Sequence, residues 1–162
     1  HKLGAIAIPA TDQLLEKDFV YRFETAGVSA IVCTDYGRAK EEVDRAAALC
    51  PGVKVRILAD GEREGWHSYD QEMPLYRSTF ERTEDSPHGD DLMLMYFTSG
   101  TTGYPKIAAH SHKYALGHFI GARYWHCVQP GGIHFTISDT GWGKAVWGKL
   151  YGQWLCESAV FT

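Results

Sequence analysis

The feature that most constrains this chain is the run Leu92-Met93-Leu94-Met95-Tyr96-Phe97, together with the segment after it. Six consecutive apolar residues leave no polar face for solvent. Such a run predicts a strand covered on both sides, central in a sheet that helices pack against. It is far shorter than the ~18 residues a membrane-spanning helix needs. It leads directly into Thr98-Ser99-Gly100-Thr101-Thr102-Gly103-Tyr104-Pro105-Lys106, a stretch dense in small residues and hydroxyls that ends on a lysine.

The residues before this run alternate between strand and helix patterns. Ala5-Ile6-Ala7-Ile8 reads as a short strand closed by Pro9. Thr11 or Asp12 is placed to cap a helix carrying Leu15, Phe19, Phe23 and Ala26 on one face, stopped by Gly27. Ala30-Ile31-Val32-Cys33 reads as a second strand. A second helix, Arg38 to Cys50, ends at Pro51-Gly52, and Val53 to Ile57 alternates as a third strand. The β-α-β-α-β order predicts an α/β fold, a mostly parallel sheet flanked by helices. Residues 59–91 break the rhythm and read as a solvated loop. Beyond the lysine, His112 to about His126 predicts a helix, Ile133 to Ile137 a strand, and Gly141 to Cys156 a Trp-rich helix. Gly148 and Gly152 on that last helix invite another backbone to approach.

The 162 residues, 44% of them apolar, suffice for one globular core, and residues 1–162 read as a single α/β unit. A net charge of −4 with scattered lysines and arginines gives no footprint for nucleic acid. Cys33, Cys50, Cys127 and Cys156 lack C-x-x-C spacing and read as free thiols, which suits a cytoplasmic location. No metal-ligand spacing is evident. The chain opens and closes on strand-like segments with no initiator methionine. It therefore reads as a piece cut from something longer, whose unpaired edges would favour self-association.

A Gly/Ser/Thr run at the carboxyl end of a central strand is where open α/β sheets bind ligands. Glycines turn backbone N–H groups toward an anion, hydroxyls add donors, and a lysine adds a point charge. The chemistry is that of a phosphate cradle. It is not a Walker A loop, because Tyr104-Pro105 follows Gly103 where Lys-Ser/Thr is required. It is not a dinucleotide fingerprint either, because Gly100-x-x-Gly103 has the wrong spacing.

Residues Tyr96 to Lys106 resemble the phosphate-binding signature of the adenylate-forming superfamily. Gly4-Ala5-Ile6-Ala7-Ile8-Pro9-Ala10-Thr11 is similar to an early G-x-x-x-x-P stretch of those enzymes. Ile137-Ser138-Asp139-Thr140-Gly141-Trp142 and His110-Ser111 resemble the acetyl- and medium-chain acyl-CoA synthetase branch. The resemblance covers essentially the whole chain and implies part of the AMP-binding N-terminal domain of an acid–thiol ligase. Its substrates would be small molecules: a carboxylic acid, ATP with Mg2+, and coenzyme A. It implies that Thr98, Ser99, Gly100, Thr101, Thr102, Gly103 and Lys106 hold ATP phosphates. It also offers Trp142, Gly143 and His110 as substrate-pocket residues.

The adenine-binding motif, the ribose-binding Asp and the small domain with its catalytic lysine find no counterpart, so no catalytic residue is assigned. The chain alone is expected to be inactive. Trp142 reads equally as a core aromatic, and Trp147 and Trp154 read as core. Asp139 either positions a polar group or caps the following helix. His110 and His112 either touch substrate or are structural. An aryl or branched-chain acid ligase of the same superfamily, and a stand-alone phosphate-binding module, stay open as alternatives.

Overall fold

The computed structural model of the chain describes residues 1–99 and 103–161. The architecture is mixed α/β with a parallel sheet. The chain divides into two compact units, Asp12–Glu81 and His1–Thr11 with Arg82–Thr162.

The first unit runs α1 (Glu16–Ala26), β1 (Ala30–Thr34), α2 (Ala39–Leu49), β2 (Val55–Ala59), β3 (His67–Ser68) and α3 (Tyr69–Glu72), followed by a 3-10 turn over Met73–Leu75. β1 and β2 pair in parallel from Ala30↔Val55 to Thr34↔Ala59, and β3 adds in parallel at Ile57↔His67. The helix-period residues Phe19 and Phe23 of α1 and Val43 and Ala46 of α2 are buried with Cys33, Cys50 and Leu58. Gly27, at φ 61°, ends α1 in the left-handed conformation that glycine adopts without strain. The start of α1 differs from expectation. Leu15 stands at its cap and donates its N–H to Asp18 Oδ2 at 3.1 Å, so neither Thr11 nor Asp12 caps it.

At the rim of this unit, Asp44 Oδ1 accepts from Arg56 Nη1 at 2.7 Å and from Trp66 Nε1 at 2.9 Å. Its Oδ2 accepts from Arg63 Nε at 2.8 Å. Burial pushes the Asp44 carboxyl up. The Arg63 and Trp66 hydrogen bonds and the charges of Arg63 and Arg56 outweigh it and hold the group below the ordinary 3.8.

The second unit is built on β4 (Leu92–Thr98), which pairs antiparallel with β5 (Lys106–Ser111) from Leu92↔Ser111 to Thr98↔Lys106. On its other edge β4 exchanges backbone hydrogen bonds with Ala7, parallel to it. Ala7 N donates to Met93 O at 3.0 Å, and Met95 N donates to Ala7 O at 2.9 Å. The apolar run is thus central, as its composition predicts. The segment Ala5–Ile8 joins this unit as a single bridge rather than extending the sheet of β1. Met93, Leu94 and Tyr96 are buried with Val146, against Ala7, Tyr114, Ala115 and Tyr151.

α4 (Lys113–Ile120) continues into a π turn over Gly121–Trp125, where His126 N–H bonds Gly121 O, five residues back, at 3.0 Å. The strand expected over residues 133–137 shortens to β6 (Ile133–His134), paired in parallel with β7 (Ala159–Val160). The helix expected from Gly141 starts two residues later. It has three parts: α5 (Gly143–Ala145), a π turn (Val146–Leu150) and α6 (Tyr151–Leu155). A π turn inserts one residue into the helical repeat and so rotates one face relative to the next. Trp147 and Trp154, which read as core, are 39% and 57% exposed.

Candidate phosphate and acid-binding site

The hairpin of β4 and β5 places the phosphate-type loop. Thr98 and Lys106 face each other as its last paired residues, and Thr98 Oγ1 donates to Lys106 O at 3.2 Å. The loop is therefore clamped at both ends by a strand pair whose β4 half is locked into the core. Ser99 begins the loop, while Gly100, Thr101 and Thr102 lie outside the described residues. Gly103 has φ +116°, a conformation that side chains rarely adopt, and no atom of the described residues lies within 4 Å of the position a Cβ would take. Its glycine is needed for backbone shape and not for close packing. Lys106 is exposed at the loop's exit.

The S-D-x-G-W stretch folds into a tight turn ahead of α5. Asp139 Oδ1 accepts from the Gly141 N–H at 2.7 Å, its Oδ2 from Thr11 Oγ1 at 3.2 Å, and its carbonyl from Trp142 N–H at 3.1 Å. Asp139 thus holds a turn rather than capping the helix, whose cap position is Trp142. Gly141 lies against the backbone of Ala10 and Thr11 so closely that a Cβ would overlap both. The early G-x-x-x-x-P stretch and the S-D-x-G-W stretch therefore meet.

Two halves of the expected site come together through β4. A Cβ on Gly143 would lie 4.0 Å from the Tyr96 ring and 3.9 Å from Trp147 Nε1. Tyr96 precedes Thr98 by two residues, so the strand that launches the phosphate loop also backs the helix start bearing Trp142 and Gly143. Trp142 is 66% exposed there. The Tyr96 hydroxyl is buried with no hydrogen-bond partner among the described residues. Burial, then the neighbouring Tyr114 and Tyr151, push its phenol well above the ordinary value.

His110 lies on β5 and stacks on Tyr114 at 3.8 Å between ring centroids; Tyr114 in turn meets His118 edge-on at 4.4 Å. Burial, then His110, push His118 below its ordinary 6.5. Sequence reasoning passes over His118. Its spacing of four from Tyr114, and of eight from His110, is the signal that could find it. β5 escapes as well, because Ile107-Ala108-Ala109 has too few polar residues to show alternation. His112 lies in helical backbone at the N-cap of α4, with its Nε2 buried and unpartnered among the described residues.

The sequence profile of the family described as AMP-binding enzyme matches residues 1–151. This chain belongs to that family. It is 32% identical over 163 aligned residues to the human protein named acyl-coenzyme A synthetase ACSM3, mitochondrial, covering 99% of this chain and 27% of the relative. It is 35% identical, with the same coverage, to ACSM3 of Mus musculus and to human ACSM5, both also named mitochondrial acyl-coenzyme A synthetases. The chain spans about a quarter of the length of these relatives. Among solved structures, an anthranilate CoA ligase, AuaEII, in complex with anthranoyl-AMP superposes with a TM-score of 0.83 at 20% identity. That match covers 98% of this chain and 30% of the other. A Brucella canis acyl-CoA synthetase gives 0.79 at 24% identity, covering 98% and 28%. Both share the fold. No helix among the described residues is long and apolar enough to cross a membrane.

Proposed function

We propose that this chain supplies the phosphate cradle and one wall of the acid pocket in an AMP-forming acyl-CoA synthetase. It would be part of the N-terminal domain of a larger enzyme. The observation that carries the reading is the clamped hairpin loop from Thr98 to Lys106, whose strand also backs Trp142 and Gly143.

In the first step a carboxylate oxygen attacks the α-phosphorus of ATP, the bond to the bridging oxygen breaks, and pyrophosphate leaves. In the second, the coenzyme A thiol loses its proton and attacks the acyl carbon, expelling AMP. Thr98, Ser99, Gly100, Thr101, Thr102 and Gly103 are assigned to the β- and γ-phosphates, with Lys106 adding a positive charge at the loop exit. The described part of the loop suits an anion: Gly103 frees the backbone to turn, Lys106 is exposed, and the Thr98 hydroxyl would exchange its bond to Lys106 O for one to phosphate. Trp142 and Gly143 are assigned to the acid, with His110 as a third contact. Among the described residues no group of three or more His, Cys, Asp and Glu side chains is placed to hold a metal. Mg2+ is assigned to arrive with ATP, whose phosphates bind it. The buried thiols Cys33, Cys50 and Cys156 suit a reducing compartment, either the cytoplasm or, as for the named relatives, the mitochondrion.

The test is acid-dependent pyrophosphate release from ATP by the full-length protein, with acetate, butyrate, octanoate and benzoate. Release with at least one acid, abolished or cut by about tenfold or more in Lys106→Ala, supports the assignment. Absence of release with every acid, or a Lys106→Ala variant with unchanged kcat/KM for ATP, overturns it.

A further inference from the structure

Gln153 is fully buried and belongs to neither half of the phosphate and acid site. Its amide Nε2 donates to Gly148 O at 3.0 Å and lies 3.3 Å from His126 Nδ1. The same Gly148 carbonyl accepts a second hydrogen bond from Thr136 Oγ1 at 2.8 Å, and Thr136 Oγ1 in turn accepts from His134 Nε2 at 2.8 Å. The rings of His126 and His134 stack at 5.7 Å, which closes the circuit. Two side chains, Gln153 from α6 and Thr136 from the segment after β6, thus bond one helical carbonyl, with His126 and His134 behind them.

That carbonyl lies inside the π turn Val146–Leu150, where Tyr151 N–H bonds Val146 O, five residues back. A π turn disturbs the regular backbone ladder, so a carbonyl within it gains from donors outside the helix. Gly148 receives two. The far side of the turn is tightly packed: a Cβ on Gly152 would stand 2.7 Å from Ala122 Cβ and 2.8 Å from His118 O, so α6 is seated on α4 at contact distance. With α6 fixed, a return of the turn to regular helix must rotate the other end. That end is α5, which carries Gly143 against the Tyr96 ring with Trp142 before it.

We propose that Gln153, with Thr136, is a positioning residue that holds the π turn at Val146–Leu150 and thereby sets where Trp142 and Gly143 stand against β4. The assignment of those two residues to the acid rests on the proposed synthetase function. Gln153 touches no substrate; it acts through the Gly148 carbonyl. Its own Oε1 has no partner among the described residues.

The test uses the full-length protein with Gln153→Met, which keeps volume and removes the donor. Thr136→Val is a milder second variant, and Thr136→Ser preserves the hydroxyl. The readouts are amide exchange across residues 146–151 and kcat/KM for acetate, butyrate, octanoate and benzoate. The expected result is exchange about tenfold faster in that segment, with β4 unchanged, in both donor-removing variants. The ratio of kcat/KM between octanoate and butyrate should shift by about fivefold or more, with KM for ATP held within about twofold, and Thr136→Ser should behave as wild type. Unchanged exchange, or an equal fall for all acids, overturns the positioning role while leaving the synthetase reading intact. A wild-type protein that activates none of the acids defeats that reading and takes the positioning role with it.

Discussion

Gly141 is the residue whose replacement should cost most for the smallest added volume. Its missing Cβ would stand 2.7 Å from Thr11 Cα and closer still to Thr11 N and the Ala10 carbonyl carbon. These are backbone atoms, so no side chain can swing aside. Relief requires the segment of Ala10 and Thr11 to back away from the turn by roughly 1 Å, an overpacking strain of about 1–3 kcal/mol. The same displacement breaks the Thr11–Asp139 hydrogen bond, adding about 0.5–1.5 kcal/mol. Reduced chain entropy in the unfolded state returns about 0.4–1 kcal/mol. The expected net loss for Gly141→Ala is about 0.5–4 kcal/mol, or roughly 1–16 °C in melting temperature at this chain length. Urea unfolding followed by tryptophan fluorescence reads it directly, since Trp125, Trp142, Trp147 and Trp154 all lie in the affected unit and only Trp66 lies in the other. Gly143→Ala is the control, because its Cβ would meet neighbours only at 3.9–4.0 Å, an ordinary contact. A Gly141→Ala protein unfolding within about 0.5 kcal/mol of wild type would refute the reasoning.

His118 is held below its ordinary value, so the folded chain binds fewer protons there than the unfolded chain does. Stability is full above about pH 6.5 and falls as the pH drops from there toward the folded value; His118→Leu should flatten that limb of a stability–pH curve. Asp44 is also lowered, so its contribution is present above about pH 3.8 and disappears as the pH falls through its folded value; Asp44→Asn should remove that acid limb. One thiol, Cys127, should react with a disulfide reagent in the folded protein. The other three should react only on unfolding, with Cys33 slowed further by burial that, with Asp44, lifts it to about 11. The exposed row Ile133, Phe135 and Ile137, with Phe161 packed on Phe135, should drive the 162-residue chain to associate; a concentration-independent monomer in sedimentation would contradict this.

Legibility tracks the physical scale of each signal. The central position of β4 is readable because six apolar residues admit no solvent face, and the helical faces of α1 and α2 because Phe19, Phe23, Val43 and Ala46 recur at the helical period. The close approach at Gly152 is readable from glycine spacing, whereas Gly148 meets only the Lys144 side chain at 3.5 Å. The Trp-rich segment misleads as one helix, because its backbone is broken into α5, a π turn and α6. A π turn leaves no composition signal; it shows only in what bonds to the Gly148 carbonyl. The segment Ile133 to Ile137 misleads for a different reason. Its alternation is real, but the polar residues His134 and Thr136 face the interior network and the apolar ones face out. Alternation fixes two faces without saying which is the inside. The phosphate loop is legible as chemistry; the hairpin that clamps it is not, since β5 has no alternation of its own.

The bridge from Ala7 to β4 has a consequence for how the chain comes into being. Residues 12–81 are contiguous, and everything their core needs has emerged once β3 and α3 are made. The other unit is split, because its first eleven residues wait for a strand that begins at Leu92. At ribosomal rates of about 5–20 residues per second that wait lasts roughly 4–16 s. Throughout it, Ile6 and Ile8 have no β4 to lie beside. The order of synthesis thus sets an order of assembly, with the continuous unit first and the unit that launches the phosphate loop completed only after the loop itself has been made.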